Sequence, residues 1–257
     1  MCQLLGLNFN EPVKIDLSFR GFRHRGEDNP HGWGLAYFIK NSSKIIKEER
    51  SAADSDVAKD LMNKNLISKI FISHVRFKSS GDMNYNNTHP FKRTLFGKDF
   101  VFAHNGTLLN FSEHLRIKDF FPQGETDSEY AFCYILQRLK DENIKEWDKN
   151  SFQFLKEIFS EINEFGRFNC LMSDGEHLFS YFDKKKHNGL VYVHRKAPFQ
   201  RVRLEDEDYE IDLAEQKTPN QKGYIIATSP LTNEKWIKFT PGSLKIFKDG
   251  EIVFESN

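Results

Sequence analysis

The chain of 257 residues has little cysteine, no excess of either charge and no long apolar run, and each lack closes off a class of protein. Three cysteines (Cys2, Cys133, Cys170) make an odd number at wide separations without any CxxC pair, which argues against a disulfide framework and against a thiolate metal cluster. Such usage fits a reducing, cytoplasmic setting. Lys+Arg 37 balances Asp+Glu 37 and the basic residues are scattered, so neither nucleic acid nor an anionic membrane surface is favoured as a partner. No stretch approaches ~18 uninterrupted apolar residues, and the first thirty residues hold no basic segment followed by an apolar one, so neither a membrane span nor a signal peptide is expected. Internal repeats, low-complexity tracts and a convincing interdomain linker are lacking too, and residues 1–257 read as one domain.

What is present is apolar material in short pieces, including 25 phenylalanines that can fill a large core. Runs bounded by turn residues read as strands: "CQLLGLNF" (2–9), "WGLAYFI" (33–39), "KIFISHV" (69–75), "FVFAHN" (100–105), "FNCLMSD" (168–174), "HLFSYF" (177–182), "LVYVHR" (190–195) and "YIIATS" (224–229). The tail 244–256 reads as a hairpin turning at Asp249-Gly250. Segments 55–66, 127–141 and 151–165 carry apolar residues at i, i+3, i+4 and i+7, the one-sided stripe of a helix. Strands in runs, broken by a few long helices, predict α+β layers with mainly antiparallel sheets. Residues 205–210 and 214–223 read as a solvated surface excursion, and Lys184-Lys185-Lys186-His187 as a solvated hairpin tip.

The chemistry begins at "MCQLLG". If an aminopeptidase clips Met1, Cys2 carries a thiol and a free α-amine on one skeleton. The amine, with a pKa of ~7.7–8.0, can then act as the general base for the thiol. The alternative is a cysteine that merely opens a buried strand. "HVRFKSSG" (74–81) closes a strand with Arg76, whose planar fork suits a carboxylate, followed by Ser79 and Ser80. "FAHNG" (102–106) ends in Asn105-Gly106. That pair is either a hairpin turn or two donors of an oxyanion hole, the Asn105 amide and the Gly106 N–H. In "GETDSE" (124–129), Thr126 and Glu129 have capping-box spacing, which leaves Asp127 unexplained. A carboxylate in the first turn of a helix stays ionised and can hold an ammonium. "RHRGEDNPHGWGLAYF" (23–38) reads as a Gly-rich loop entering a strand, and "NTHPF" (87–91) as a turn fixed by Pro90. Cys133 and Cys170 lie in apolar stripes and are expected to be core.

Taken in order, "MCQLLG", "RGEDNPHGWGLA", "HVRFKSSG", "NTHPF", "FAHNG" and "GETDSE" resemble the class II glutamine amidotransferases, N-terminal-nucleophile hydrolases, and within them the stand-alone bacterial YafJ-like branch. That branch is similar to γ-glutamyl amide hydrolases of glutathione breakdown and ergothioneine synthesis. The likeness is dense over 2–140, and "FNCLMSDG" (168–175), "RKAPF" (195–199) and "IATSPLT" (226–232) extend it nearly to the end. It implies a four-layer α/β/β/α sandwich of two stacked antiparallel sheets. It also implies a nucleophilic Cys2 that forms a γ-glutamyl thioester and releases ammonia. Arg76 would bind the substrate α-carboxylate with Ser79 and Ser80 nearby, Asp127 the α-ammonium, and Asn105 and Gly106 the oxyanion, while Arg25 and Gly26 would shape the loop beside the nucleophile. Better-known members have a tryptophan and a threonine-histidine pair after the substrate arginine, where this chain has Phe77, Lys78, Ser79 and Ser80. No cofactor is implied. The expected substrate is glutamine or a γ-glutamyl compound. With no P-loop pattern and no room for a second catalytic domain before Asn257, the ammonia goes to water or to a separate ammonia-accepting enzyme.

Two rival readings come from other classes. His74, His89 and His104 end or flank strands and would be the ligands of a catalytic zinc, although the sequence holds no compact pair such as HExxH. A protein that keeps the fold and binds an amino acid without turnover is the other rival, and retention of Met1 is its signature.

Overall fold

In the computed structural model, which describes residues 1–40, 42–78 and 81–256, the chain runs through fifteen strands and four α-helices. The first half contains β1 (Gln3–Lys14), α1 (Asp16–His24), β2 (Trp33–Ile39), β3 (Ser42–Glu48), α2 (Asp56–Leu61), β4 (Ile67–Val75), β5 (Phe91–Leu95), β6 (Lys98–Leu108) and α3 (Asp127–Asp141). The second half contains α4 (Lys149–Ile162), β7 (Gly166–Ser173), β8 (His177–Tyr181), β9 (Val191–Arg195), β10 (Arg201–Arg203), β11 (Glu210–Asp212), β12 (Gly223–Ala227), β13 (Ile237–Lys238), β14 (Leu244–Lys248) and β15 (Glu251–Glu255).

Two antiparallel sheets stack face to face. One has the order β13-β9-β12-β1-β4-β2-β3 and the other β15-β14-β8-β7-β6-β5, while β10 and β11 form a separate ribbon. Both faces of each sheet are covered, so central strands read as unbroken apolar runs rather than as an alternation. In β1, Leu4 points into the inter-sheet core with Val101, Leu171 and Ile226, whereas Leu5, Leu7 and Phe9 join Phe19, Phe22 and Leu61 beneath α1 and α2. In β7 the division repeats: Leu171 faces the other sheet, and Phe168, Cys170 and Met172 pack with Phe132, Leu155 and Phe159 of α3 and α4. The result is the expected α/β/β/α sandwich. Gly6 is required where the sheets approach, since a Cβ there would meet Leu171 Cδ1 at 3.0 Å and Leu178 Cδ2 at 3.1 Å.

Every strand and helix expected from the sequence has a counterpart, with β2 and α3 matching their expected bounds. One local reading is overturned, and one of two alternatives is excluded. Asp16–His24, partly assigned to a loop, forms α1, because Phe19 and Phe22 bury against the first sheet while Leu17 packs with Val202, Leu204 and Leu213. Asn105-Gly106 is not a hairpin turn: β6 continues to Leu108, with Asn105 opposite Asn169 and Gly106 opposite Phe168 in β7. The capping box at α3 is half formed. Thr126 Oγ1 accepts from Glu129 N at 3.2 Å, but the Glu129 carboxylate accepts from Gly124 N (2.7 Å) and pairs with Arg93. Its work is to fix the turn leading into the helix.

Candidate active site

Cys2 sits one residue before β1 enters its ladder, where Gln3 pairs with Val75 of β4. Its thiol lies against the Phe77 peptide: Phe77 N–H donates to Sγ at 3.1 Å, and the thiol donates to Phe77 O at 3.2 Å. Burial pushes the Cys2 thiol up; the Phe77 N–H, the terminal ammonium and Arg76 pull it down without cancelling that rise. A thiol held protonated needs a base before it can attack. The Cys2 carbonyl accepts two side-chain amides, Asn105 Nδ2 at 2.7 Å and Asn188 Nδ2 at 2.8 Å.

Arg76 follows the last residue of β4 and is tied to the Gly32 corner, donating its N–H to Gly32 O (2.8 Å) and accepting from His31 N (3.0 Å). The residue is 3% exposed, and its guanidinium donates to Asp82 O (3.2 Å) and Gly81 O (3.4 Å). Burial pushes it down, and the nearby Cys2 and Asp127 pull it up, which places all three groups in one electrostatic neighbourhood. The loop carrying Gly81 and Asp82 is braced by the buried Asn87, which donates to Asp82 O (3.1 Å) and accepts from Glu125 N (2.8 Å). Gly124 lets these segments meet, because a Cβ there would lie 2.3 Å from Asn87 Oδ1.

Asp127 opens α3 and is buried. Its Oδ2 accepts from Leu108 N at 2.7 Å, and Ser128 Oγ approaches Oδ1 at 3.4 Å. Ser128 Oγ also lies 2.8 Å from His104 Nδ1, and His104 Nε2 lies 3.0 Å from Arg167 O. Burial in this setting holds His104 below the usual histidine range. At Gly106 a Cβ would lie 1.9 Å from Arg167 O, so only glycine fits between β6 and β7 beside Asn105.

Arg25 caps the end of α1 and bridges three segments. It donates to Gln3 Oε1 (3.1 Å), Ser229 O (3.1 Å) and Pro230 O (2.5 Å), and pairs with Asp206 at 3.1 Å. It therefore holds Gln3, the residue next to Cys2. Gly26 packs on the 51–53 turn, where a Cβ would lie 2.8 Å from Ala52 N. Cys2, Arg76, Asn105 and Asp127 are thus brought together from four separate elements, with Gly106 beside them and Arg25 and Gly26 behind. Ser79 and Ser80 lie outside the described residues. Phe77, standing where the better-known members have tryptophan, is 46% exposed and meets His31 edge-on at 5.2 Å.

The sequence reading did not identify Asn87, Asn169, Asp183 or Asn188. Asn188-Gly189 repeats the dipeptide signal of Asn105-Gly106, and the segment read as a solvated tip points its following residue, Asn188, at Cys2. A hollow of about 440 Å³ lined by Phe9, Val13, Arg195, Lys217 and Gln221 shares no residue with this site.

The three histidines do not make a metal centre: among the described residues no group of His, Cys, Asp and Glu is arranged to hold an ion. His74 and His89 stack at 4.3 Å between ring centroids, with His89 on Phe91 at 4.5 Å, and all four ring nitrogens of the pair are buried without hydrogen-bond partners. They serve as neutral discs. Burial pushes His74 down to about 3 and His89 well below its usual range, with the Arg76 charge pushing both the same way. Because the unfolded chain binds these protons near pH ~6.5, full stability is present above that value and falls as pH drops toward the folded value, by up to ~1.4 kcal/mol per pH unit and histidine. His89→Phe should therefore lose about 4–8 °C less of Tm than the parent chain between pH 7.5 and pH 5. Parallel Tm curves would contradict this assignment.

Two stacked antiparallel sheets with a cysteine at the head of a central strand define the amidotransferase version of the N-terminal-nucleophile fold, and solved structures agree. A protein described as a predicted glutamine amidotransferase from Pseudomonas aeruginosa superposes with a TM-score of 0.74 at 32% identity, over 98% of this chain and 99% of that one. The glutamine phosphoribosylpyrophosphate amidotransferase of Bacillus subtilis shares the fold with a TM-score of 0.68 at 15% identity, over 99% of this chain and 48% of its own. The chain belongs to the class-II glutamine amidotransferases, whose family model matches residues 1–257. Escherichia coli YafJ is 36% identical over 259 residues, covering 98% of this chain and 100% of YafJ, which supports the stand-alone YafJ-like branch. An uncharacterized protein of Methanocaldococcus jannaschii is 46% identical over 256 residues, covering 100% of this chain and 72% of its own length. Among the described residues no helix is long and apolar enough to cross a membrane.

Proposed function

We propose that the chain cleaves the side-chain amide of glutamine or of a γ-glutamyl compound, with Cys2, freed at its α-amine by removal of Met1, as the nucleophile. The observation that carries the reading is the convergence on one spot of a thiol, a buried guanidinium, a buried carboxylate and a side-chain amide. Arg76 pairs with the substrate α-carboxylate and Asp127 with its α-ammonium, which lays the γ-amide toward Cys2. The α-amine takes the thiol proton and the sulfur adds to the amide carbon. The oxyanion is met by the Gly106 N–H and by the second amide hydrogen of Asn105, whose first is engaged by the Cys2 carbonyl. The ammonium just formed returns its proton to the leaving nitrogen as the C–N bond breaks, leaving a γ-glutamyl thioester. Water then cleaves the C–S bond, giving glutamate and restoring the thiol. Ser79 and Ser80 would supply hydroxyls beside Arg76, and Arg25 and Gly26 hold the wall behind Gln3.

Hydrolysis needs no reactant but water and is the reading adopted; delivery of ammonia to a separate enzyme uses the same first half-reaction. The purified protein should release ammonia and glutamate in equal amounts from glutamine. Asn105→Ala should lower kcat by ~10²–10³, the usual consequence of losing one oxyanion donor, with KM little changed. A defect confined to KM would contradict the role given to Asn105.

A further inference from the structure

The Cys2 carbonyl is held from two sides, and the second side is a loop that the catalytic scheme above does not use. Asn188 lies between β8 and β9, and its Nδ2 donates to Cys2 O at 2.8 Å, across 186 residues of chain. We propose that Asn188 is a positioning residue for the nucleophile, presented by a purpose-built loop; the proposal rests on the reading of Cys2 as the attacking residue.

The loop is assembled around a buried carboxylate. Asp183 Oδ1 accepts from Lys185 N (2.7 Å) and His187 N (3.2 Å), and its Oδ2 accepts from Phe168 N (2.8 Å) and Asn163 Nδ2 (2.7 Å). Asn169 closes the assembly by donating to His187 O (2.7 Å) and accepting from Asp183 N (2.8 Å). Asn169 is the β7 partner of Asn105 in β6. The two ends of one rung therefore reach Cys2 by two routes, Asn105 directly and Asn169 through the backbone of His187. The backbone has positive φ at Lys186 (61°), Asn188 (57°) and Gly189 (79°). Left-handed conformations at non-glycine residues persist only where the surroundings over-determine them, and they concentrate at functional sites.

The need for such a clamp follows from where Cys2 sits. The β1 ladder begins at Gln3, so once Met1 is gone Cys2 has no residue upstream and its carbonyl is the remaining backbone anchor. Fixing that carbonyl fixes the Cα to which amine and sulfur are both attached. Misplacement of a reacting group by ~1 Å can cost about 10²-fold in rate.

The test separates the amide donor from the turn. Asn188→Gly keeps the positive φ without strain but removes the donor, and Asn188→Asp keeps the shape but presents an acceptor to a carbonyl. Both should lower kcat by about 10- to 100-fold with KM within about twofold. Both should also slow acylation of Cys2 by a glutamine-mimicking diazoketone to a similar degree, with Tm of the glycine variant near that of the parent chain. A glycine variant that turns over and labels Cys2 at the parent rate would overturn the proposal, because a residue kept only for its turn is replaced by glycine without loss. If the parent chain itself fails to label at Cys2, the nucleophile reading fails first and this inference falls with it.

Discussion

Cys2→Ser should eliminate measurable amide cleavage, a loss on the order of 10⁴-fold or more in kcat, as when the nucleophile of a concerted catalytic group is removed. The fold should survive. Serine is smaller and its hydroxyl can occupy the position of the thiol between Phe77 N–H and Phe77 O, so the strand start is kept while a weaker nucleophile replaces sulfur. The other two thiols provide the contrast. Burial pushes Cys133 up to about 11 and Cys170 well above its usual range; Cys133 is buried on α3 itself, and Cys170 lies in the core that β7 shares with α3 and α4. Neutral thiols in such surroundings are inert. Ammonia release measured for Cys2→Ser and for Cys133→Ala should therefore fall in one variant and hold in the other. Full activity of Cys2→Ser would exclude the thioester route.

The second large effect belongs to Asp127. Asp127→Asn retains an oxygen to accept the Leu108 N–H, so β6 and the start of α3 stay joined, but it removes the charge proposed to face the substrate ammonium. Truncating one partner of a buried charge pair costs about 2–5 kcal/mol, so kcat/KM should fall at least about 30-fold, chiefly through KM. Steady-state kinetics with glutamine decides it. A variant with unchanged KM and depressed kcat would place Asp127 in the chemistry of the amide rather than at the α-carbon end.

Where local sequence carries the physical signal, the fold was legible. β2 and α3 were found at their observed bounds because a strand buried on both faces is a continuous apolar run, and a helix start marked by Thr126 is capped by that residue. β3 escaped notice because "SSKIIKE" lies at a sheet edge, where polar residues are tolerated. α1 was hidden by Gly21 and by a basic end that resembles a loop, and only the apolar floor beneath it decides the matter. At the site, Cys2, Arg76 and Asp127 stand at strand or helix ends, where a side-chain type and its place in the chain suggest a role, while Asn105 lies within β6. Asn105-Gly106 leaves two readings open in sequence: the same dipeptide serves a hairpin and a crowded strand, and the 1.9 Å approach that demands glycine comes from Arg167, sixty-one positions along the chain. Asn188-Gly189 announces only a turn; the contact of Asn188 with Cys2 and the support of its loop by Asn169 join distant segments, and no local pattern pairs them.

The most direct test is mass spectrometry of the intact protein and of its peptides after exposure to the glutamine-mimicking diazoketone. The account predicts a chain that begins at Cys2, lacks Met1 and carries a single adduct on the Cys2 sulfur. An adduct on Cys133 or Cys170, or amide cleavage by a chain that still carries Met1, would contradict it.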